Sequence, residues 1–576
     1  MTTIDAQFLT QVGMFAGLDR GALQDLCRRL TPRQVRRGDV LCREGESATS
    51  LFVLQRGVAD VVLGSDGAGP RARAVARLRP GDVVGELALL TSEPRSATVV
   101  ARQPTTVLEL ERADFLKLVE RHPVVLGNLV RVIGQRLVQR NAAERLGRRG
   151  EAVAVVVGCG ATALAEQVVA ATQAALPDPR QTCVIDVPIT PRQEPARLTV
   201  SDLCCRLDAL RLAHRVVLIS MGLEHDELST LLGEMDRVLL LGDAADAARL
   251  AARLDVGDAR VEMALVGAEE VRAMSGSVAG IRVVRAVHPG SRRDVAWLGR
   301  HLSRTKLGVA LGAGGAKGYA HVGVVQVLHD AGYVIDYVAG SSIGAWIGCW
   351  LAQGLSPGGI EETLRTHFTP EAVDAMFRNG VNGTPSGLEV MSRLGQETTG
   401  RRSFAELSLP LTVMAADLRT RRLAPLTAGL LWPALVAAMT VPGLYPPYPC
   451  GERHLVDAVS LEPVPTQAVV DAGADITVAV NLISRDTLEA WPDASSTEPL
   501  RGRGHDPVRD ALLEAIELGQ LDASVRQAGL ADVPVTPRFG PGTWRHFHLG
   551  ERFLTAGRAA AEESLPVLRA LARPAA

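Results

Sequence analysis

Gly340-Ser341-Ser342-Ile343-Gly344 is a G-x-S-x-G elbow. Small residues on both sides let such a serine sit on a strained strand-to-helix turn with its hydroxyl exposed. A hydroxyl held this way is a candidate nucleophile for acyl transfer. Upstream lies Gly312-Ala313-Gly314-Gly315-Ala316-Lys317-Gly318. Glycines there let the backbone come close to a ligand and turn its N–H groups toward one point, at the positive end of the following helix. A second pair, Glu86 and Arg95, suits another ligand. A sugar phosphate needs a carboxylate to accept from a ribose hydroxyl and a guanidinium to grip the phosphate.

The elements that must position the first set are short. Leu307 to Leu311 reads as a strand ending in the glycine loop, and a mostly apolar helix follows. Val334 to Ala339 reads as the next strand, ending at the elbow. The helix Ile343 to Ala352 is apolar and small (Gly344, Ala345, Gly348), so it is expected to be buried against the sheet. Its N-terminus points at Ser342, which helps stabilise an oxyanion. A dinucleotide fingerprint is the competing reading of the glycine loop. The spacing, however, is G-x-G-x-x-x-G rather than G-x-G-x-x-G, and neither Asp330 nor Asp336 clearly ends a second strand.

A glycine loop and a serine elbow on consecutive strands, each followed by a helix, resemble the core of a patatin-like phospholipase of the neuropathy-target-esterase type. The resemblance implies a Ser–Asp dyad, with Ser342 as nucleophile, an oxyanion hole at Gly314 and Gly315, and Gly312, Gly318, Gly340 and Gly344 as the loop and elbow glycines. The aspartate falls at Asp457, where the family carries Asp-Gly-Gly or Asp-Gly-Ala. Here Ala458 and Val459 follow, which constrains the turn if it needs a positive φ. Ala313 likewise stands at a glycine position. Lys317 replaces a basic residue of the family and is expected to support the loop, with its head group in reach of a lipid phosphate. Ala428 to Val441, followed by Pro442-Gly443-Leu444-Tyr445, is expected to wall an acyl pocket, with Trp432, Leu444 and Tyr445 as lining candidates. Burial is expected to raise the pKa of Asp457 so that it can act as a base.

The implied reaction is hydrolysis of phospholipid or lysophospholipid acyl esters, with no metal and no catalytic cofactor. The runner-up mechanism is a Ser–Asp–His triad completed by His546 or His548, in α/β-hydrolase chain order. His321 and His454 read as structural. A reading of a different class is a cAMP-binding regulator with a degenerate hydrolase half.

Pro80 to Leu90 with Pro94-Arg95-Ser96-Ala97-Thr98-Val99 resembles the phosphate-binding cassette of cyclic-nucleotide-binding domains. By that resemblance Gly85, Glu86, Leu87, Arg95 and Ser96 contact the nucleotide, and Ser96 favours cAMP over cGMP. An internal Glu86–Arg95 salt bridge in a domain without ligand is the alternative. Around the cassette, a helical stretch from Phe8 to Leu30 precedes short β-like runs broken at Gly38, Gly45, Gly57 and Gly64, as in a small β-roll. Leu126, Leu129, Val130, Ile133 and Leu137 mark an amphipathic helix, closing over nucleotide or simply packing. Residues 144–151 are an arginine-rich linker.

Between the two, apolar runs at Ala152–Val157, Cys183–Asp186, Val216–Ser220, Val238–Gly242 and Met263–Val266 alternate with helical segments, arguing a parallel sheet. Its first loop, Gly158-Cys159-Gly160-Ala161-Thr162, lacks the Gly-Lys-Ser/Thr ending of a phosphate loop. The expected fold is therefore a β-roll domain with flanking helices (1–145), an α/β linker domain of spacer or oligomerisation role (151–300) and an α/β hydrolase domain (305–576). A chain of 576 residues is too long for one core. A net charge of −2 gives no general argument for nucleic acid, and no basic helix-turn-helix follows residue 145. Eight scattered cysteines without C-x-x-C suit a reducing compartment. Without a signal-peptide pattern or a membrane-length apolar run, a cytoplasmic protein is expected, with peripheral membrane contact and an oligomer as options.

Overall fold

In a computed structural model the chain is described except for residues 1–5, 11, 64–72, 79, 87–93, 103, 130–149, 188–199, 254–260, 268–275, 289, 377–385, 484–506, 541–545 and 575–576. Leu87, most of the 126–137 helix and most of the arginine-rich linker thus lie outside the described residues. Two compact units form. One is Met1–Gly150 with Leu198–Leu212 and Ser229–Glu234; the other is the remainder from Glu151 onward.

The first unit is a sandwich of eight strands: β1 (Thr31–Val35), β2 (Val40–Cys42), β3 (Ser50–Arg56), β4 (Ala59–Leu63), β5 (Arg73–Leu78), β6 (Val83–Val84), β7 (Thr98–Ala101) and β8 (Thr105–Glu111). They pair antiparallel in two sheets, β1-β8-β3-β6 and β2-β7-β4-β5. Side chains alternate along a strand, so β3 serves two cores. Leu51 and Val53 pack with Phe15, Leu26 and Phe115, while Phe52 and Leu54 pack with Leu41, Val99 and Val107. The helical stretch before β1 is broken rather than continuous: Ala6–Thr10, a 3-10 turn Gly13–Phe15, and Arg20–Arg29. The break follows from Gly17 at φ +83° and from Asp19, whose carboxylate accepts the Ala22 N–H at 2.8 Å and starts a new helix.

The second unit holds two sheets. The first comprises β9 (Glu151–Val157), β10 (Thr182–Val187), β11 (Val216–Gly222), β12 (Arg237–Gly242), β13 (Val261–Val266), β14 (Ser277–Val278) and β15 (Ile281–Val287), ordered β10-β11-β9-β12-β13-β15-β14. It is parallel as the alternation predicts, except for the β14–β15 hairpin, which the sequence did not signal. Helices Thr162–Ala175 and Arg292–Ser303 cover one face with Val168, Leu298 and Leu302. At the phosphate-loop position the chain has placed a carboxylate of its own. A Cβ on Gly158 would lie 2.1 Å from Asp246, and one on Gly242 would lie 2.4 Å from it.

The second sheet is β16 (Leu307–Leu311), β17 (Ile335–Ser341), β18 (Leu411–Asp417), β19 (Arg422–Leu426), β20 (Tyr448–Cys450), β21 (Arg453–Asp457), β22 (Ile476–Val480) and β23 (Val533–Val535). The order is β20-β21-β18-β17-β16-β22-β23, with β19 also paired to β18. β16, β17, β18, β22 and β23 run parallel, and β19 to β21 antiparallel. Parallel strands are apolar throughout because helices cover both faces, and all five residues of β16 are buried. The helix Gly550–Leu571 lies on Tyr319–Asp330 at glycine contacts: a Cβ on Gly557 would sit 2.1 Å from the Ala320 carbonyl oxygen.

Salt bridges join the two sheets. Arg300, near the end of the bridging helix, forks onto buried Asp336 at 2.9 and 2.7 Å, and Asp336 also accepts the Leu307 N–H. Arg304 reaches Glu151 at 3.2 Å and Asp475 at 3.5 Å. The arginine-rich stretch before β16 is therefore a structural clamp at the start of that strand.

Candidate active site

Register brings the predicted residues together. Leu311 lies opposite Gly340 in the parallel β16–β17 pair, so the glycine loop and the elbow leave the sheet side by side. Ser341 lies opposite Met414, and Ala415 lies opposite Asp457, which carries the aspartate to the same carboxyl edge. Ligands of open α/β sheets bind at that edge.

Ser342 is one of four non-glycine residues with positive φ among those described, at φ 54° and ψ −124°. Such a conformation costs of order 1–3 kcal/mol and persists only where the surroundings impose it. Packing imposes it here. A Cβ on Gly340 would stand 2.3 Å from the Gly344 carbonyl oxygen, and one on Gly344 would stand 2.2 Å from that of Leu311. The helix Ile343–Ala352 is thereby pressed onto β16 and β17, with its N-terminus at the serine.

The glycine loop is pinned on both sides of its turn. Gly312 N–H donates to Val480 O, Ala313 N–H to Pro463 O and Lys317 N–H to Gly314 O. His321, fully buried, donates from Nε2 to Gly312 O at 2.7 Å, and burial lowers its pKa to about 4, leaving it neutral. Gly315 has φ 54°. The N–H groups of Gly314 and Gly315 make no hydrogen bond among the described residues. Gly318 packs its bare Cα against Ile343 and Ile347.

Asp457 is 2 % exposed. Burial pushes its pKa up to about 7, while contact with the Ser342 hydroxyl and the Val459 N–H opposes that rise. Oδ1 accepts from Val459 N–H at 2.9 Å; Oδ2 is buried with no partner at normal hydrogen-bond geometry. The Ser342–Asp457 pairing is therefore a loose one, of a kind that tightens when a reacting group arrives. Ala458–Ser460 is a 3-10 turn, and neither Ala458 nor Val459 takes a positive φ. Glycine is not needed at these two positions.

Ser342, Asp457, Ala313, Gly314 and Gly315 share one cleft of about 830 Å³ counting its open mouth, a size typical of small-molecule sites. The rest of its lining is almost wholly apolar: Phe368, Val373, Met376, Met439, Val441, Leu444, Tyr445, Val459, Ile483, Ile516 and Phe547, with Gln520. The Tyr445 hydroxyl is turned away into a 2.6 Å bond to Met376 O.

Two expectations are corrected. Trp432 does not line the cleft; it packs against Gly395. Lys317 is 2 % exposed, so its head group does not reach outward to a lipid phosphate. The triad fares no better. The His546 and His548 rings lie 5.3 Å apart, tilted by 54°, and neither lines the cleft, although Phe547 between them does. His454 is exposed and His321 holds the loop. Phe368, Ile516, Gln520 and Phe547 are lining residues that no motif announced.

In the sandwich unit, Arg95 is buried and lies 5.6 Å over the Phe52 ring. It donates to Ser50 O at 2.6 Å and to Gly85 O at 3.2 Å, with Gly85 at φ +87°. A Cβ on Gly85 would fall 1.9 Å from Nη1, so this glycine makes room for the guanidinium. Arg95 meets no carboxylate among the described residues, so the internal Glu86–Arg95 salt bridge is not formed; Glu86 is itself buried and Ser96 exposed.

Comparison with known proteins finds a domain match over each of the two regions. The model of the cyclic nucleotide-binding domain matches residues 32–122, and that of patatin-like phospholipase matches 309–470. An uncharacterized NTE family protein of Mycobacterium tuberculosis is 25% identical over 579 residues, covering 97% of this chain and 96% of that one. Another from the same organism is 31% identical over 205 residues, 35% of this chain and 54% of that one. Patatin-like phospholipase domain-containing protein 7 of Mus musculus is 26% identical over 208 residues, 35% of this chain and 15% of that one. The chain thus carries a cyclic nucleotide-binding domain ahead of a patatin-like phospholipase domain, and over nearly its whole length it is similar to an NTE family protein.

Proposed function

We propose that the chain is a serine esterase that cleaves the acyl ester of a phospholipid or lysophospholipid through a Ser342–Asp457 dyad. The observation that carries this reading is a strained serine facing a buried, half-unpaired carboxylate of raised pKa across an apolar cleft. Asp457 Oδ2 takes the hydroxyl proton as Ser342 Oγ attacks the ester carbonyl. A carboxylate of pKa about 7 is a far better base toward serine than one of ordinary value. The tetrahedral oxyanion is held by the N–H groups of Gly314 and Gly315, each such donor typically worth about 2.7–4 kcal/mol of barrier. The proton on Asp457 passes to the departing alcohol; the same carboxylate then activates water to clear the acyl-enzyme. No step calls for a metal or a cofactor. The apolar lining takes the acyl chain and keeps bulk water from the base.

The hydrolase function is assigned to residues 305–576, with a sensor of cyclic nucleotide in 1–145 and the sheet of 151–300 as its connector. For the sensor, a buried guanidinium that meets no carboxylate among the described residues favours an anion, since a buried charge is costly until paired. A cyclic nucleotide phosphate meets Arg95, with Gly85, Glu86, Leu87 and Ser96 completing the site and cAMP preferred. The test is hydrolysis of a lysophospholipid and a short-chain ester by wild type, Ser342→Ala and Asp457→Ala, each with and without cAMP. Turnover in wild type that both variants lose supports the dyad. Turnover that survives Asp457→Ala would refute it, and a wild type that binds cAMP but reacts with neither ester nor a fluorophosphonate would favour a regulator without catalysis.

A further inference from the structure

The edge of the catalytic sheet carries a feature that the chemistry above does not use. β18 and β19 form a hairpin, and β20 and β21 form a second beside it. Both project past the active-site level. Met414 is in register with Ser341, and β18 continues through Asp417, three residues or roughly 10 Å further. The turn there is Leu418-Arg419-Thr420-Arg421, followed by Arg422 and Leu423, and every one of these residues is exposed. Leu418 is 50% exposed and Leu423 40%. The neighbouring tip adds exposed Arg453, and the two tips touch where Arg419 donates to Glu452 O.

Charge there is lopsided. Four arginines face one acid, Glu452, which lies 3.6 Å from Arg419 and is itself almost wholly solvated. Arg421, Arg422 and Arg453 meet no carboxylate among the described residues. Asp417, at the base of the same hairpin, is buried and engaged by the N–H groups of Arg419 and His454 and by the Thr420 hydroxyl. Two exposed leucines set among unpaired arginines suit a surface that is anionic outside and apolar beneath, since arginine meets lipid phosphates while leucine enters the acyl boundary. An acidic protein would match the arginines but offers nothing to both leucines at a turn.

We infer that this paired hairpin tip docks the protein onto an anionic lipid surface. Position gives the docking its use. From the second tip, β20 leads back to Leu444 and Tyr445 of the cleft wall, and β21 leads to Asp457. The bilayer is thus held over the same edge of the sheet at which the cleft lies. The inference rests on the lipid-ester reading only for that use; binding itself does not depend on turnover.

The test is co-sedimentation of the full chain with vesicles of pure phosphatidylcholine and of phosphatidylcholine with 30 % phosphatidylserine, alongside hydrolysis of a soluble short-chain ester. Wild type is expected to partition onto the anionic vesicles in a salt-sensitive manner. Arg421→Gln with Arg422→Gln should weaken partition roughly 25-fold, about fivefold per arginine. Leu418→Ser with Leu423→Ser should weaken it on both vesicle types, and all these variants should turn over the soluble ester as wild type does. Equal partition of wild type onto both vesicles, or undiminished partition of the arginine variant, would overturn the proposal. Retention on heparin without vesicle binding would overturn it in favour of an acidic macromolecule. Vesicle binding by a chain that cleaves no ester would leave docking standing and remove the hydrolase reading instead.

Discussion

Replacing Asp457 by asparagine should cost the protein its activity and make it more stable, by an amount that depends on pH. The carboxyl titrates at about 7 in the fold against 3.8 in the unfolded chain, chiefly because it is buried. Between those values the folded protein holds a proton that the unfolded chain releases. Stability therefore falls as pH rises through this window, and the penalty is complete above 7. Three pKa units correspond to about 4 kcal/mol in full, of which about 2 kcal/mol develops between pH 5.5 and 8.5. Asparagine keeps the acceptor for the Val459 N–H but carries no charge. Its amide leaves a donor to satisfy, at about 1–3 kcal/mol, yet that term does not change with pH. The stability gap between Asp457→Asn and wild type should accordingly widen by about 2 kcal/mol from pH 5.5 to 8.5, in favour of the variant. Thermal melts of both proteins across that range measure it. In the same range kcat/KM of wild type should fall tenfold per pH unit below about 7. A melting gap independent of pH, or activity undiminished at pH 5.5, would refute the assignment of Asp457 as a desolvated base.

Ser342→Gly relieves a side chain at φ 54° and should raise stability by about 1 kcal/mol while abolishing turnover and fluorophosphonate labelling; a melting point that falls would mean the elbow is not strained. Gly344→Ala sets a methyl 2.2 Å from Leu311 O and 2.8 Å from Gly312 O, so it should lower the melting point and cut kcat more than tenfold, whereas an equal change at Gly358, where the added Cβ meets nothing, should leave kcat intact. Arg95→Gln should weaken cAMP binding roughly 10- to 100-fold, the scale of hydrogen bonds to a charged group, as read by calorimetry; wild type that binds neither cAMP nor cGMP would remove the effector from the proposal.

What was legible in the chain followed from locality. The elbow and the glycine loop are contiguous motifs whose constraints act within a few residues, and Leu307–Leu311 and Ile343–Ala352 appear where the pattern put them. Asp457 was reached only by resemblance, since its approach to Ser342 depends on β21 pairing with β18 across the intervening chain 418–452. Whether Ala458 and Val459 could follow it turned on backbone angles that residue types leave open. Phe368, Phe547 and the pair Ile516 and Gln520 on one helix come from three distant places and meet only in the cleft. Trp432 was misplaced for the opposite reason. An aromatic in an apolar helix has several faces to pack against, and this one found the bare face of Gly395.

The apolar lining links binding to chemistry. Asp457 owes its pKa to burial, and the groups that bury it include the wall that an acyl chain would contact, Val459 among them. A bound chain displaces water from that wall and desolvates the carboxylate further, which raises its pKa again. The profile of kcat reports the substrate complex and that of kcat/KM the free enzyme. With a long-chain ester the acidic limb of kcat should therefore lie at higher pH than that of kcat/KM. With a short acyl chain that leaves the wall wet, the two limbs should coincide. Limbs that coincide for both esters would show that the fold alone desolvates Asp457 and that the acyl chain binds elsewhere in the cleft.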